Sequence, residues 1–584
     1  MKNETMARTR VMVTAASLRL WIVHWLTWAA GLIVVAMSWS SWQPSGAPPY
    51  EDILPTGTLL WLCLAVWSLL GAVLTATARS RGDSVEGPAG RGWNTSFALV
   101  AGAVLTTAYL WMVLPHVERY FFLVDDFAIA GESGQHTIGR LVSAPLFGFY
   151  RPLTDIAARF QYAWFGWELP SGYAAVSLAL HVANAIGVWW IASRLRFSAP
   201  AQIVSGVTFL LAPWAAEGYL WFAVECDLLA TTGLLGAFIS GLAALQAASR
   251  RRSAAWMAIG GASALVAAFA KETGVLAPVE FLVLGLLATR GGARPWGRYG
   301  AYSAVLFAVA VIYVTVRAQV FSVMGGAYGD FFSLFEPSAV LGNLGHALFA
   351  FAVTPLPYER AEAVSFVLLG SQMLTLLIVL PLGALLTLRR HPGTTVGLAL
   401  LVGGTLVPVL WYEILATTLV PRRFLYTAGI WWALWLGLAL GELARRPSRP
   451  GRATFAVALV VCGTYWIASV HHQVSLWREA TRLSRAVIVQ FGRELARGSQ
   501  PLYLTNLPFM FDTGPYMLVP YAFHYYYRER EVPPLIARRV YLGYRHGRVY
   551  LVHRDPVPSE LANARGTFRN VTFVLPRVSQ ESSP

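Results

Sequence analysis

Charged residues and cysteines are both scarce in this chain, and each scarcity narrows the class of protein. Charged side chains make up 13% of the 584 residues, whereas hydrophobic residues make up 56%. The apolar share of a soluble protein is nearer about 45–50%, so the composition excludes a soluble fold and the apolar surplus must face lipid. Cys63, Cys226 and Cys462 lie far apart without metal-ligand spacing, which argues against a disulfide framework and a thiolate metal site.

Lysine is nearly absent as well. The chain has two lysines, Lys2 and Lys271, so its formal net charge of +15 comes almost entirely from arginine. The arginines form short clusters between apolar runs rather than one basic face, and this pattern indicates membrane topology instead of nucleic-acid binding. The lipid bilayer is therefore an expected partner, nucleic acid is not, and Lys271 stands out as an isolated ammonium.

The apolar runs predict a membrane protein with many spans. Several of them approach or exceed the roughly 20 residues that cross a hydrocarbon core as a helix: 57–78, 171–193, 228–248 and 453–470. The run at 16–37 is too long for a signal-peptide core and lacks a cleavage site, so it is predicted to be a retained span. The run at 343–356 is predicted to be a re-entrant or interfacial helix. With that choice, the span-length rule gives roughly thirteen transmembrane helices.

The arginine clusters predict which connections face the cytoplasm, because short inner loops are enriched in basic residues. The N-terminus and the clusters at 194–196, 250–252, 290–298 and 389–390 are inner, and the long connection at about 116–170 is outer. The N-terminus is thus expected in the cytoplasm and the C-terminus outside, in the bacterial inner membrane. The predicted fold is an all-α polytopic membrane domain, residues 1–474, followed by a small extracytoplasmic α/β domain, residues 475–584. Residues 501–504 and 548–552 are predicted strands of that second domain.

The clearest candidate site is the adjacent carboxylates Asp125 and Asp126 in the outer 116–170 loop. Neighbouring carboxylates push each other's pKa values apart, so one can act as a general base while the other orients an acceptor or binds a divalent ion such as Mg²⁺ or Mn²⁺. The alternative is a solvated loop with an Asx turn. The residues leave open which of the two would be the base, and no cofactor is required.

Further candidates lie at the same predicted face. Arg151, which follows Tyr150, has the forked donor geometry that suits a phosphate, although an interfacial arginine also snorkels to lipid headgroups. His181 and Asn184 share one helical face, where a helix-packing hydrogen bond is the alternative to a ligand role. The remaining candidates are acidic or basic residues predicted near the outer ends of spans: Glu217, Glu225, Asp227, Lys271, Glu272, Arg422 and Arg423. Ionisable groups at that depth are costly and are functional candidates, but helix capping, a Lys271–Glu272 ion pair and headgroup binding are the alternatives.

The order of these motifs resembles the membrane part of the TMTC and protein O-mannosyltransferase-like enzymes of the GT-C superfamily. The motifs are Asp125-Asp126, Tyr150-Arg151-Pro152-Leu153-Thr154, His181-Val182-Ala183-Asn184, Ala212-Pro213-Trp214-Ala215-Ala216-Glu217, Asp227-Leu228-Leu229-Ala230 and Lys271-Glu272-Thr273-Gly274, with a weaker match at Arg423-Phe424-Leu425-Tyr426. The chain departs from the pattern where relatives have His-Pro-x-His, because it has Ala212-Pro213-Trp214-Ala215.

The resemblance implies a glycosyltransferase that moves a sugar from a polyprenyl-phosphate donor to a protein or glycan acceptor at the extracytoplasmic face, with inversion. Asp125 or Asp126 would then be the catalytic acid, and Arg151, Lys271, Arg422 or Arg423 would bind the donor phosphate. Tyr150, His181, Asn184, Glu217, Glu225, Asp227 and Glu272 would line the acceptor pocket. Two other functions remain open: a transporter or flippase of a lipid-linked saccharide, which would favour polar groups at the bilayer midplane, and a non-catalytic membrane assembly protein.

Overall fold

A computed structural model describes most of the chain after residue 90. The described residues are 91–289, 296–320, 337–354, 363–410, 422–445, 448–497 and, near the C-terminus, 502–504, 507–511, 515, 517, 522, 526, 535–536, 539–545, 548–554, 569–571 and 578–579. The predicted spans at 16–37 and 57–78 lie outside these residues. The chain divides into two compact units, Met1–Ala103 and Val104–Pro584. All candidate site residues belong to the second unit.

The described part of the chain is mainly helical. In order, the helices are α1 (Arg91–Glu118), α2 (Asp125–Gln135), α3 (Ile138–Ser143), α4 (Pro152–Phe165), α5 (Pro170–Arg194), α6 (Ala199–Leu211), α7 (Ala216–Leu220), α8 (Glu225–Gln246), α9 (Arg250–Ala270), α10 (Ala277–Ala288), α11 (Trp296–Val320), α12 (Pro337–Ala352), α13 (Ala363–Leu374), α14 (Leu380–Arg390), α15 (Pro392–Leu406), α16 (Gly429–Ala444) and α17 (Arg449–Ala496). Short 3₁₀ turns join several of them, including Phe222–Val224, Glu272–Leu276 and Arg422–Leu425.

Eight helices in the described residues are long and apolar enough to cross a membrane, which makes this an integral membrane protein. A ninth span results if α6 and the segment Pro213–Leu220, which meet at 42°, count as one. The bend follows from Pro213, because proline lacks the N–H donor and disfavours helical backbone at the residue before it. The prediction of roughly thirteen spans includes runs outside the described residues and stays a prediction. Of the predicted segment 343–356, residues 343–352 belong to α12, whose apolar part, Val340–Ala352, falls short of the roughly 20 residues of a full span. Residues 355 and 356 lie outside the described residues.

Small residues allow close packing between neighbouring spans. A Cβ atom added at Gly233 of α8 would lie 2.5 Å from the backbone nitrogen of Ala267 on α9, so the two backbones approach closely, as is typical of helix pairs in membranes. Large apolar side chains such as Phe307 and Leu377 are exposed on the outside of the spans, as expected where a helix faces lipid.

Helix α17 is unusually long. Its 48 residues extend for about 72 Å at 1.5 Å per residue, more than twice the roughly 30 Å thickness of a hydrocarbon core. The predicted domain boundary at residue 475 lies inside this helix, and the two-domain division stays a prediction. Beyond that point one face of α17 is buried, and the Ser484 hydroxyl donates to the carbonyl oxygen of Phe122 at 2.7 Å.

The C-terminal residues contribute two small sheets. Their strands are β1 (Leu502–Leu504), β2 (Leu507–Phe511), β3 (Leu535–Ile536), β4 (Arg539–Arg545), β5 (Arg548–Arg554), β6 (Arg569–Val571) and β7 (Val578–Ser579). One sheet has the order β3-β1-β6, all parallel, and the other has the order β2-β4-β5-β7, with β4 and β5 antiparallel. The two segments predicted as strands are confirmed as β1 and β5.

Candidate functional site

The residues Trp221–Asp227, named here the connector, link the bent pair of α6 and α7 to α8. Trp221 is extended and ends α7, Phe222–Val224 form a 3₁₀ turn, and α8 begins at Glu225. Glu225 and Asp227 lie in the first turn of α8, where carboxylates are favoured by the partial positive charge of a helix N-terminus. Because α7 ends and α8 begins here, the connector has backbone N–H groups outside regular helix, and other segments contact these groups and its side chains.

Four of the predicted site residues contact the connector from four separate segments. Asp126 accepts a hydrogen bond from the backbone N–H of Ala223 at 2.7 Å. Arg151 lies 3.7 Å from the Cys226 sulfur, Lys271 is ion-paired with Asp227, and the Arg423 guanidinium lies 5.3 Å from the centre of the Trp221 ring. Residues 119–126, named here the aspartate loop, are the connection between α1 and α2 together with the two aspartates, which begin α2. The structure therefore brings the aspartate loop and three of the predicted phosphate-binding cations around one seven-residue segment.

Asp126 is held inside the protein by three donors. Its Oδ2 accepts from the Tyr120 hydroxyl at 2.5 Å and from the Leu123 N–H at 2.8 Å, and its Oδ1 accepts from the Ala223 N–H. The Tyr120 hydroxyl in turn accepts from the Phe222 N–H at 3.1 Å. Burial raises the pKa of Asp126 to about 8, although these hydrogen bonds act in the opposite direction. The hydrogen bonds of Asp126 join the aspartate loop to the connector. Because its side chain is fully buried, it has no surface that a substrate could contact.

Asp125 differs from its neighbour because its side chain is partly exposed. Within the described residues no group of three or more His, Cys, Asp or Glu side chains is arranged to hold a metal ion. The divalent ion considered for the aspartate pair stays a prediction. Both oxygens of Asp126 already accept hydrogen bonds from the protein, so this carboxyl group has little capacity left to bind such an ion.

Arg151 and Glu272 form a bidentate ion pair between the start of α4 and the turn after α9. Arg151 Nε lies 3.0 Å from Glu272 Oε2, and Nη2 lies 2.6 Å from Oε1. Burial of the Glu272 carboxyl acts to raise its pKa, but the charge and hydrogen bonds of Arg151 outweigh burial and lower the pKa to about 2. The guanidinium also lies 4.3 Å from the centre of the Phe149 ring. This arrangement fixes Arg151 in one orientation beside the connector.

Lys271 forms an ion pair with Asp227. The sequence had offered an ion pair with the neighbouring Glu272 as an alternative, but Glu272 pairs with Arg151 instead. The Lys271 and Asp227 side chains are both almost completely buried. The Lys271 ammonium also lies 5.3 Å from the centre of the Phe424 ring. A charge that is buried at this depth needs such a partner, because water is not available to solvate it.

The adjacent arginines Arg422 and Arg423 point to different environments. Arg422 is buried and donates to the carbonyl oxygens of Val353 at 2.6 Å and Ala350 at 3.3 Å, at the C-terminal end of α12. Arg423 instead pairs with Glu217, whose Oε1 accepts from Nη1 at 2.6 Å and whose Oε2 accepts from the Arg423 backbone N–H at 2.7 Å. The carbonyl partners at a helix end give Arg422 a structural position, and Arg423 is the arginine that contacts the connector.

His181 and Asn184 form the packing network that was the alternative to a ligand role. His181 Nε2 donates to the Leu210 carbonyl at 3.0 Å, which leaves Nδ1 to accept from the Tyr426 hydroxyl at 2.7 Å. Asn184 donates to the Leu228 carbonyl at 3.1 Å and to the Tyr426 hydroxyl at 3.3 Å. Both side chains are fully buried. Their contacts hold Tyr426, and through it the turn that carries Arg423.

The two remaining predicted pocket residues are also engaged within the protein. Glu225 is buried and accepts from Gln161 Nε2 at 2.7 and 2.8 Å. Tyr150 is buried and its hydroxyl donates to the Val142 carbonyl at 2.9 Å. Sequence reasoning missed Gln161 on α4 and Tyr120 in the connection after α1, which hold two of the candidate carboxylates, because a single uncharged polar residue carries no distinguishing pattern.

Comparisons with known proteins give a structural likeness only. No protein-family model and no curated protein matches the chain. Among solved structures it is similar to ArnT from Cupriavidus metallidurans in the apo state, at 17% identity and a TM-score of 0.41 over 76% of this chain and 85% of that chain. The form of ArnT bound to undecaprenyl phosphate is 18% identical, with a TM-score of 0.40 over 77% of this chain and 86% of that chain. A third similar structure is the oligosaccharyltransferase AglB from Archaeoglobus fulgidus in complex with an inhibitory peptide and a dolichol-phosphate. It is 12% identical, with a TM-score of 0.38 over 70% of this chain and 62% of that chain. TM-scores of this size do not establish a shared fold or function.

Proposed function

We propose that the chain is a GT-C-type glycosyltransferase that transfers a sugar from a polyprenyl-phosphate donor to a protein or glycan acceptor at the extracytoplasmic face of the bacterial inner membrane. One observation carries the proposal: the aspartate loop and three cations contact the same connector. A base for an acceptor hydroxyl and positive charge for a phosphate leaving group are the two requirements of this reaction. The order of the sequence motifs supports the same reaction class.

In this mechanism Asp125 and Asp126 have separate tasks. The acceptor hydroxyl oxygen attacks the anomeric carbon, the bond from that carbon to the phosphate oxygen breaks, and the configuration inverts. Asp125, the partly exposed carboxylate, takes the hydroxyl proton, while the bond electrons leave with the polyprenyl phosphate. Asp126 is a positioning residue, because its three hydrogen bonds fix the loop against the connector.

Arg423 is the cation that we assign to the donor phosphate. Its side chain is 25% exposed, against 15% for Arg151 and 4% for Lys271, so its guanidinium is the most accessible of the three. Glu217 holds both the backbone and the side chain of Arg423, which leaves the guanidinium preorganised. A preorganised fork loses little conformational entropy when it binds a phosphate. Arg151 is the second candidate, and Lys271 fixes the connector through Asp227.

A donor screen tests the proposal directly. The purified protein is incubated with polyprenyl-phosphate sugars of different identity, and mass spectrometry follows loss of the donor sugar. The screen is run with wild type, Asp125→Asn, Asp126→Asn and the double variant. Glu132→Gln is the matched control, because Glu132 is an acid of the same helix that instead contacts His136 at 2.8 Å. Transfer by the double variant at the wild-type rate would remove the aspartates from the mechanism.

A further inference from the structure

The backbone of Val124, the residue before Asp125, is strained. Its φ is 26° and its ψ is −102°, and the side chain is buried. Positive φ is a genuine outlier for a β-branched residue, because Cβ then crowds the backbone. Such a conformation persists only where the surrounding contacts enforce it, and it is often found where a functional group must be held.

The backbone of Val124 is hydrogen-bonded to the C-terminal part of the chain. The Val124 N–H donates to the carbonyl oxygen of Met517 at 3.0 Å. Met517 is fully buried, and its own N–H donates to the carbonyl of Phe509 in β2 at 2.6 Å. A backbone hydrogen-bond relay therefore leads from β2 to the residue that precedes the candidate base.

A second C-terminal contact surrounds the same loop. The Tyr526 ring lies 5.9 Å from Phe121, 6.1 Å from Phe127 and 5.5 Å from Trp167, measured between ring centres. Phe121 precedes the two aspartates and Phe127 follows them, so Tyr526 packs against both sides of the loop. Aromatic pairs at these distances and tilted angles attract each other beyond simple burial.

We propose that Phe509, Met517 and Tyr526, named here the C-terminal clamp, position Asp125 for the reaction by holding Val124 in its strained conformation. The C-terminal part is then a component of the catalytic site and not an appended module. The inference rests on the proposed function. It concerns positioning, since the clamp contacts the loop and not the reacting atoms.

Three variants separate clamping from general stability. Tyr526→Ala removes the three ring contacts, and we expect kcat to fall at least about tenfold, the low end of what three aromatic pairs contribute. KM for the donor should stay unchanged because Arg423 is held separately by Glu217. Tyr526→Phe keeps the ring and should retain activity. Adding Val124→Gly to Tyr526→Ala should restore most of the lost kcat, because glycine adopts positive φ without steric cost.

The matched control is Val124→Ala with Tyr526→Ala. Alanine also removes the bulk of valine but keeps Cβ, so positive φ stays disfavoured and the rescue should be clearly smaller than with glycine. Any of three results would contradict the clamp. The first is equal rescue by alanine and glycine, and the second is no rescue by glycine. The third is a rise of KM in Tyr526→Ala as large as the fall of kcat.

Hydrogen exchange gives a readout that does not depend on activity. The Val124 amide should exchange faster in Tyr526→Ala than in wild type, because loosening the clamp opens the bond to Met517. An unchanged exchange rate at Val124 contradicts the clamp even if sugar transfer is observed. If the wild type transfers no sugar from any donor, the proposed function fails, and the exchange result still decides whether the clamp exists.

Discussion

The candidate site has a cationic half and an aspartate half, and different kinds of interaction hold the two halves in place. The cationic half is built from ion pairs, in which Arg151, Lys271 and Arg423 each have a carboxylate partner. In the aspartate half, Asp126 is held by neutral donors, which are two backbone N–H groups and the Tyr120 hydroxyl. A cation buried near the membrane needs a counter-charge, whereas a buried carboxyl group can be held by hydrogen bonds from neutral donors. The difference suits a site with a charged leaving-group side and a chemically active acceptor side.

The largest expected effect is at the aspartate half. Asp125→Asn removes the proposed base, and we expect kcat to fall by roughly 10²–10⁴, the usual contribution of general base catalysis. Because Asp125 is partly exposed, the thermal unfolding temperature should change little. Steady-state transfer assays and a melting curve together check this. A variant that loses stability but keeps kcat would reverse the roles of Asp125 and Asp126.

The next effect is one of stability in the cationic half. Lys271→Ala leaves the buried Asp227 carboxylate without its partner, and breaking a buried pair typically costs about 3–5 kcal/mol. The melting temperature in detergent should therefore drop strongly. The control replaces both charges, Lys271→Met with Asp227→Leu, and it should recover most of the lost stability because no unpaired charge remains. If both variants melt alike, the pair is not what holds the connector.

The sequence could predict which face of the membrane the site residues share, but not which of these residues contact one another. The topology rule predicted that Asp126, Glu217, Lys271 and Arg423 lie on outer connections, and the structure brings these four residues to the connector or to a residue that contacts it. The individual pairings could not be predicted. Lys271 lies next to Glu272 in sequence, yet the two residues pair with groups on other helices, because helix packing and not sequence adjacency decides which side chains meet.

The same limit explains Arg422 and the clamp. Adjacent residues of a 3₁₀ turn project in different directions, so one of two neighbouring arginines is directed at the end of α12 and the other at Glu217. The contact from Met517 to Val124 joins distant parts of the chain through backbone atoms alone. Backbone atoms carry no residue-type signal, so the sequence could not predict this contact.

A smaller effect is expected at the donor. Arg423→Ala should raise KM for the polyprenyl-phosphate sugar by roughly tenfold or more, since a hydrogen bond to a charged group is worth about 1.5–3 kcal/mol, with a lesser change in kcat. Glu217→Gln keeps the shape of the Glu217–Arg423 contact but holds the guanidinium less firmly, so KM should rise less. Substrate titrations at fixed acceptor concentration measure both. An unchanged KM in Arg423→Ala would transfer the phosphate role to Arg151.

The smallest effect is the pH dependence of the Arg151–Glu272 pair. The pKa of Glu272 is lowered from 4.5 to about 2 in the folded protein, so the folded state favours the carboxylate more than the unfolded state does. The stability that this pair contributes is thus fully present above about pH 4.5 and is lost as the pH falls towards 2. Wild type should melt above Glu272→Gln at pH 7, and the gap should close between pH 4.5 and 2. The exposed pair Arg497–Glu494 provides a control, because Glu494→Gln should leave the melting temperature nearly unchanged at either pH. A gap between wild type and Glu272→Gln that stays constant down to pH 2 would show that packing, and not charge, holds Arg151 in place.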